Sequence, residues 1–278
     1  MEPTLDQLRA LDAVVRTGSF AGAAEVLHRV PSAVSYAIKG LEETLEVELF
    51  DRSRRKATLT AAGRRMHEQA RHVLRESDAL MRLAVQVRSG WEPELRVVVD
   101  GALPMGPISR CLRIFSDAGI PTRLVLDVEY RHGVLDRFVQ DEADMMLVLG
   151  FDDSDDTSRY TMQPLEALEM VLVGAEEHPH IELLVRDSSQ RIDSRSFTGN
   201  RHTVHLTDFH TKRLALLDGA GFGWMPKHLV EADLEAGALH IVEAKEGVHT
   251  WTYHPQVVWR TDRPLGRAGT LFIKRLDD

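Results

Sequence analysis

Residues 61–90, "AAGRRMHEQARHVLRESDALMRLAVQVRSG", contain no proline, and Met66, Ala70, Val73, Ser77, Leu80, Ala84 and Val87 recur there in alternating steps of four and three. A seam kept up for three heptads predicts a helix that turns one stripe to a partner helix. At about 1.5 Å per residue the helix reaches roughly 40 Å, too long for the interior of a small domain. The spacing therefore predicts self-association along Met66, Ala70, Val73, Leu80, Ala84 and Val87, with Ser77 as the weak point. It also divides the chain, because whatever precedes residue 60 and whatever follows residue 90 must each bury a core of its own.

The first part reads as three short helices. "LDQLRALDAVVRTG" puts Leu5, Leu8, Leu11 and Val15 on one face and stops at Gly18. Ser19 suits the N-cap of "FAGAAEVLH", and Pro31 the first turn of a third helix that runs to about Leu45. That third helix has two unlike sides. Val34, Ile38, Leu41 and Leu45 form a core face, whereas Ser32, Ser35, Tyr36 and Lys39 form a stripe of small hydroxyls, one ring and one positive charge. Two short helices, a tight turn and a third helix make a helix-turn-helix, whose last helix can enter a DNA major groove with its N-terminal residues foremost. Small hydroxyls allow deep seating and can bond to base edges or phosphates, Tyr36 can meet a thymine methyl or a phosphate, and Lys39 can neutralise backbone charge. "VELFDRSRRKATLT" follows as a hairpin-like wing with a basic tip. The bland alternative is a three-helix packing unit with a solvated polar face.

Charge favours the first reading. The formal net charge is −9, yet residues 1–90 hold 14 basic and 12 acidic side chains, and residues 52–71 hold seven basic against one acidic. An acidic protein does not adhere wholesale to a polyanion, so contact with nucleic acid falls to that N-terminal patch. At 278 residues, with 43% hydrophobic and 28% charged content, the chain is expected to be soluble, globular and built of two or three modules. No apolar run suits a membrane span and no secretory signal is visible, and the single Cys111 fits a reducing cytoplasm as a buried structural thiol.

After "SGWEPE" strands and helices alternate. The strands predicted are "LRVVVDG", "TRLVLDVEY", "DMMLVLG", "ALEMVLVG", "IELLVRDSS", "HTVHL", "FGWMP", "LHIVEA" and "WTYHPQVVWR", with helices between several of them and Asp208 as the N-cap of one. "FDDSDDTSRYTMQP" reads as an acidic loop that crosses between subdomains. Such alternation predicts a mainly parallel sheet covered by helices, with length enough for two lobes.

At this point the chain resembles the LysR-type transcriptional regulators along nearly its whole length. The resemblance rests on "GSFAGAAEVL", "PSAVSYAIKGLEETLEVELFDRS" and "LTAAGRR" in order, and on the glycine-rich "GAGFGWMP". It implies an α/β multidomain protein with a winged helix-turn-helix over 1–59 and a dimerising linker helix over 60–90. A two-lobed effector-binding domain like periplasmic binding proteins would follow over 91–278, lobe I from about 91–155 and 258–278, lobe II from about 156–257. It further implies that Ser32, Ser35, Tyr36 and Lys39 read DNA and that Arg52, Arg54 and Arg55 sit in the wing. The partners implied are double-stranded promoter DNA, a small-molecule effector and further copies in a homodimer or homotetramer, with RNA polymerase as an additional candidate. Pro31 stands where the family often has Gln, Glu46 where it often has Gly, and between "EEHPH" and "IELLVRDSS", where His180 and Ile181 are adjacent, the family usually has a further stretch of residues.

In a two-lobed α/β domain ligands bind beyond the C-terminal ends of parallel strands. That rule selects Asp100, Gly101, Ala102 and Glu129 from one lobe, and Asp187, Ser188, Asp208, Thr211 and Phe222 from the other. Asp100, Glu129 and Asp187 hint at an amine-bearing effector, unless each merely caps a helix or ends a strand. His178, His180, His202, His205 and His210 are the best candidates for a metal set. However, His202 and His205 stand three apart on a predicted strand and face opposite sides, and no carboxylate–histidine motif joins them. "GAGFG" lacks the lysine of a phosphate loop. Neither a catalytic set, nor a metal, nor a cofactor is expected. The rival function is a two-lobed solute-binding protein whose helical N-terminus serves only for oligomerisation.

Overall fold

The computed structural model describes residues 2–51, 57–140, 142–151, 157–175, 180–189, 199, 202–242 and 250–276. Its backbone contacts divide into two compact units, residues 1–84 and 85–278.

In the first unit, α1 (Leu5–Thr17) starts at a capping box. The Thr4 hydroxyl accepts the Gln7 N–H at 3.3 Å while the Thr4 N–H donates to Gln7 Oε1 at 2.9 Å. The helix ends on Gly18 in the left-handed region at φ 69°. The Ser19 hydroxyl caps α2 (Phe20–Val26), and Pro31 occupies the first turn of α3 (Pro31–Leu45). The core joins Leu8, Leu11 and Val14 of α1 to Ala23 and Ala24 of α2 and Val34, Ile38 and Leu41 of α3. Val14 is fully buried in α1, and Val15 packs half-buried against the same core.

The wing begins where α3 stops. Glu46 takes the left-handed conformation, φ 54° and ψ 35°, that glycine adopts more cheaply. Behind it the buried Glu42 carboxylate accepts the N–H groups of Leu49 at 2.8 Å and Phe50 at 3.4 Å. Phe50 pairs with Leu59 in an antiparallel bridge, and the Asp51 N–H donates to Thr58 at 2.8 Å, which forms the base of a hairpin. Thr60 then caps α4 (Ala61–Ser89), its hydroxyl accepting the Gly63 N–H at 2.8 Å. A Cβ on Gly63 would stand 2.1 Å from the Leu49 carbonyl, so only glycine lets α4 lie this close to the wing.

The second unit holds two mixed sheets. In the first, β1 (Glu94–Asp100) lies parallel between β2 (Arg123–Glu129) and β3 (Met145–Val148). β4 (Tyr160–Pro164) and β11 (Gln256–Arg260) extend it antiparallel, in the order β2-β1-β3-β11-β4. Alternation along β1 sends Val97 and Val99 into a core under α5 (Met105–Asp117) and α9 (Arg267–Leu276), and Val98 into a second core under α6 (His132–Val139). In the second sheet the order is β10-β5-β8-β6-β7. It comprises β5 (Leu168–Gly174), β6 (Glu182–Val185), β7 (Thr203–Leu206), β8 (Phe222–Pro226) and β10 (Thr250–Tyr253), with β9 (His240–Ile241) also paired to β5. The helices α7 (Phe209–Leu217) and α8 (Lys227–Glu235) pack on it.

Three expectations change. The sheets are mixed rather than mainly parallel, because β4, β5, β10 and β11 run against their neighbours. "YTMQP" is an edge strand and not loop, and the acidic 152–156 before it lies outside the described residues. "WTYHPQVVWR" is two strands in different sheets, broken at His254–Pro255. The lobes accordingly meet at two crossovers, 165–167 and 254–255, tied by the Leu165 N–H to the Pro255 carbonyl at 2.8 Å. Lobe I thus takes in β4 as well as β11, and lobe II spans β5 to β10 rather than about 156–257.

Replacing Glu46 by glycine removes a left-handed side-chain penalty of about 1 kcal/mol. Glu46→Gly should raise the unfolding free energy of the N-terminal unit by about that much in chemical denaturation.

Candidate nucleic-acid interface and effector cleft

The outward stripe of α3 is open. Ser32, Ser35 and Lys39 are exposed and Tyr36 is 81% exposed, while Val34, Ile38 and Leu41 are fully buried behind them. No side chain caps the helix and its first turn carries no acid, so its positive dipole end faces solvent unopposed. Lys39 lies 3.6 Å from Glu43 one turn on, with both side chains about two-thirds exposed, a pair too weak to hold the ammonium from a phosphate. The approach to α3 is braced by Arg29, whose guanidinium grips Asp6 at 2.7 and 2.8 Å and draws its carboxyl below the usual range. His67 of α4 meets Asp12 of α1 at 2.9 Å, and this hydrogen bond likewise lowers the aspartate. Arg52, Arg54 and Arg55 lie outside the described residues.

The α4 seam divides. Ala70 is buried in the first unit's own core and Met66 packs half-buried against it. The burial of Ala70 corrects its assignment to a dimer contact, because the opening turns of α4 form the wall of that core. Val73, Leu80 and Val87 remain exposed, Ala84 with them, and Met81 and Leu83 beside them.

In the second unit Asp100 ends β1 fully buried. It accepts the N–H of Ala102 at 2.9 Å and of Arg131 at 3.1 Å, and burial outweighs these bonds, pushing its pKa up to about 6. Gly101 leaves room for the Tyr130 ring, which a Cβ would meet at 2.4 Å. Glu129 is engaged by Arg137 at 2.9 Å. Asp187 is also buried; burial raises its pKa, but the N–H of Ser189 and the donors of His132 outweigh this and hold it below the usual range. Asp208 caps α7 through the Thr211 N–H at 2.7 Å and the Thr211 hydroxyl at 2.9 Å. Each of these carboxylates accepts hydrogen bonds from donors within the protein, so each also fastens a local segment of its lobe.

Ala102 packs with Leu168 and Met170 across the lobes, flanked by Leu149, Phe209, Trp224 and Tyr253. The Tyr130 and Phe209 rings meet edge to face at 5.9 Å. Ser188 of lobe II reaches the Tyr130 backbone. Phe222 does not belong to this set. It begins β8, paired with Glu182 at the start of β6, whereas Asp187 follows the opposite end of β6. Strand direction places Phe222 at the far end of the sheet. The rule of strand ends missed Tyr130, Arg131 and His132, one to three residues past β2, and the aromatic pair Trp224 and Tyr253. The aromatic residue that closes the predicted strand "TRLVLDVEY" was the available signal.

Among the described residues no group of three or more His, Cys, Asp or Glu side chains is placed to hold a metal, and His178 lies outside them. No helix of the described residues is long and apolar enough to cross a membrane.

A winged three-helix unit that presents an open helix, followed by a two-lobed α/β unit with its lobes hinged on paired crossovers, defines a one-chain ligand-responsive DNA-binding protein. Residues 5–64 match the family model for the bacterial regulatory helix-turn-helix protein of the lysR family, and residues 88–278 match the LysR substrate binding domain. The chain belongs to the LysR family of DNA-binding transcriptional regulators with an effector-binding domain, and these are not enzymes. It is 34% identical over 292 residues to the probable HTH-type transcriptional regulator YhaJ of Escherichia coli K12, covering 98% of this chain and 95% of that one. Its fold is shared by a full-length OxyR variant from Pseudomonas aeruginosa, with TM-score 0.62, 21% identity and coverage of 99% and 98%. Full-length CbnR complexed with its target DNA shares it at TM-score 0.65 and 16% identity, with 99% of each chain covered. The solute-binding alternative gives way, since the matched N-terminal module is a regulatory helix-turn-helix.

Behind Trp224 lies an unusual buried amine. Lys212 of α7 is 2% exposed and donates to the Trp224 carbonyl at 2.8 Å, and burial drops its pKa from 10.5 to about 7. Folding therefore expels a proton at any pH between those values. The cost is absent above pH 10.5, grows as pH falls, and is complete below about 7. Lys212→Met should stabilise the second unit by about 3 kcal/mol at pH 7 after allowing for the lost hydrogen bond. The gain should shrink steadily toward pH 10 in thermal melts.

Proposed function

We propose that α3 enters the DNA major groove with Ser32, Ser35 and Tyr36 at base edges or phosphates and Lys39 on the backbone, flanked by Arg52, Arg54 and Arg55 of the wing. The observation that carries this reading is the exposed polar stripe set on a fully buried apolar back. The CbnR fold neighbour in complex with its target DNA supports it. The winged helix-turn-helix is taken as 1–59, the linker helix as 60–90 and the effector domain as 91–278, acting in the cytoplasm on promoter DNA.

Two copies associate through the exposed part of α4. The seam reads nearly the same in both directions about Ser77, so an antiparallel crossing there sets Val73 of one copy against Leu80 of the other. Pairs of dimers form a tetramer on the promoter, with RNA polymerase as an additional candidate partner. A small-molecule effector binds between the lobes, beside Asp100, Gly101, Ala102, Glu129, Asp187, Ser188, Asp208 and Thr211. The apolar residues Ala102, Leu168 and Met170 and the surrounding rings favour a ligand with an apolar or aromatic body.

Lys39→Ala should weaken binding to every duplex alike and reduce the slope of log affinity against log salt by about one. Ser35→Ala should instead alter the ranking of duplexes, by about 1–3 kcal/mol at the affected base pair. Fluorescence anisotropy over a duplex panel separates the two, and parallel behaviour of both variants would overturn the assigned roles. Leu80→Asp should give monomers in sedimentation velocity, whereas an unchanged oligomer would remove α4 from the interface.

A further inference from the structure

A compact set of polar contacts joins the lobes on the side of the cleft away from the crossovers. From lobe II, Asp187 Oδ2 accepts the His132 backbone N–H at 3.3 Å and lies 2.6 Å from the His132 ring Nδ1. The Ser188 N–H donates to the Tyr130 carbonyl at 3.2 Å, and its hydroxyl accepts the Tyr130 N–H at 2.8 Å. The Asp187 side chain is 1% exposed, so water has little access to its carboxylate, while the Ser188 bonds to Tyr130 lie at the surface. Gly133 is the seat. A Cβ there would stand 1.9 Å from the Ser188 hydroxyl and 3.0 Å from its Cβ.

The topology gives this set leverage. In the first sheet β2, which feeds Tyr130–Gly133, is an edge strand, and β11, which carries one crossover, lies three strands away. Three strand spacings are about 14 Å. The second sheet repeats the arrangement, with β5 and β10 at the crossovers and β6 toward the other edge. Rotation about the Leu165–Pro255 tie therefore moves the Asp187–Ser188 contacts farther than it moves the apolar middle of the cleft. The lobe I side is also strained. Arg131 adopts φ 58° and ψ −121°, a conformation costly for any residue with a side chain, and its N–H is held by Asp100. Asp100 from below and Asp187–Ser188 from across the cleft jointly hold the segment.

We propose that Asp187 and Ser188 are a clasp that keeps the effector cleft closed by gripping Tyr130–Gly133, and that opening the cleft requires this clasp to release. The proposal rests on the reading of the interlobe cleft as the effector site and adds how access to it is regulated. The clasp is opposed by the strain at Arg131 and assisted by the apolar contacts of Ala102 with Leu168 and Met170.

The test is amide hydrogen exchange on the full-length protein. Gly133 sits in α6 with backbone angles that accept alanine, so Gly133→Ala acts as a wedge against Ser188 alone. Exchange at His132 and at residue 188 should rise at least tenfold, with β1 and β6 unchanged. The double variant Gly133→Ala/Ser188→Gly removes the obstructing hydroxyl together with its bond to the Tyr130 N–H, so protection should return at His132, which Asp187 holds, and stay low at Tyr130. If the wedge variant does not fold, Asp187→Asn, which adds no heavy atom, takes its place with an expected rise of at least threefold at His132. Unchanged exchange at both positions in the folded variant, or a wedge effect at His132 that Ser188→Gly does not relieve, would overturn the clasp. Because this readout needs neither DNA nor effector, its failure leaves the cleft reading intact. That reading fails separately if ligands found by thermal shift protect amides away from residues 100–102 and 130–133.

Discussion

A single carboxylate, Glu42, decides whether the N-terminal unit can present anything. It is buried at the C-terminal end of the helix whose other face is open, and it accepts two backbone N–H groups from the segment that begins the wing. Each such charge-assisted bond contributes about 1.5–3 kcal/mol, and losing the carboxylate would leave buried donors without partners. An open helix face has no contacts of its own to fix its direction. Its position is set entirely from behind, by the Val34, Ile38 and Leu41 stripe against α1 and α2 and by Glu42 against the wing. Reading base edges demands that helix and wing keep one relative geometry, and Glu42 supplies the bond between them.

The same logic of holding an accessible surface from behind extends to α4. Its first turns complete the small core with Met66, Ala70 and Leu74, while the turns from Val73 onward carry apolar side chains into solvent. A helix that serves first as wall and then as projecting face cannot be sorted by periodicity, since one seam runs through both parts. The heptad pattern made the helix legible from sequence. Which body buries each seam position depends on tertiary contacts that spacing does not encode.

In the second unit most strands were legible as apolar runs, and the failures have specific causes. Tyr160–Pro164 is polar, half-buried and at a sheet edge, so it lacks the apolar signature and follows an acidic run that reads as loop. The break at His254–Pro255 is hidden because the residue before a proline favours extended backbone, which lets two strands of different sheets read as one. Missing that break concealed the paired crossovers, and with them the direction in which the lobes can move. Phe222 was drawn in by the glycines around it, although strand direction puts it at the wrong end of β8. The strand-end rule selected Asp100 and Asp187, which the fold sets on the two sides of the interlobe contact, but it stopped at Glu129, one residue before Tyr130 and three before His132.

The cleft that results has three zones of different chemistry in a row. At the crossovers, a backbone hydrogen bond ties two segments that must turn together. In the middle lie Ala102, Leu168 and Met170, whose contacts are non-directional and vary smoothly as the lobes slide. At the far side are hydrogen bonds to a buried carboxylate, which are directional and are lost within about an ångström of displacement. A hinge with smooth contacts alone would sample a continuum of openings. Adding a short-range directional contact at the longest lever arm turns that continuum into two states, closed with the bonds made and open with them broken. A molecule entering the apolar middle can bias that choice without touching the clasp, because only its difference in affinity for the two states enters the equilibrium. This is the physical form that a signal needs if it is to reach a DNA-binding unit as a switch rather than as a graded strain.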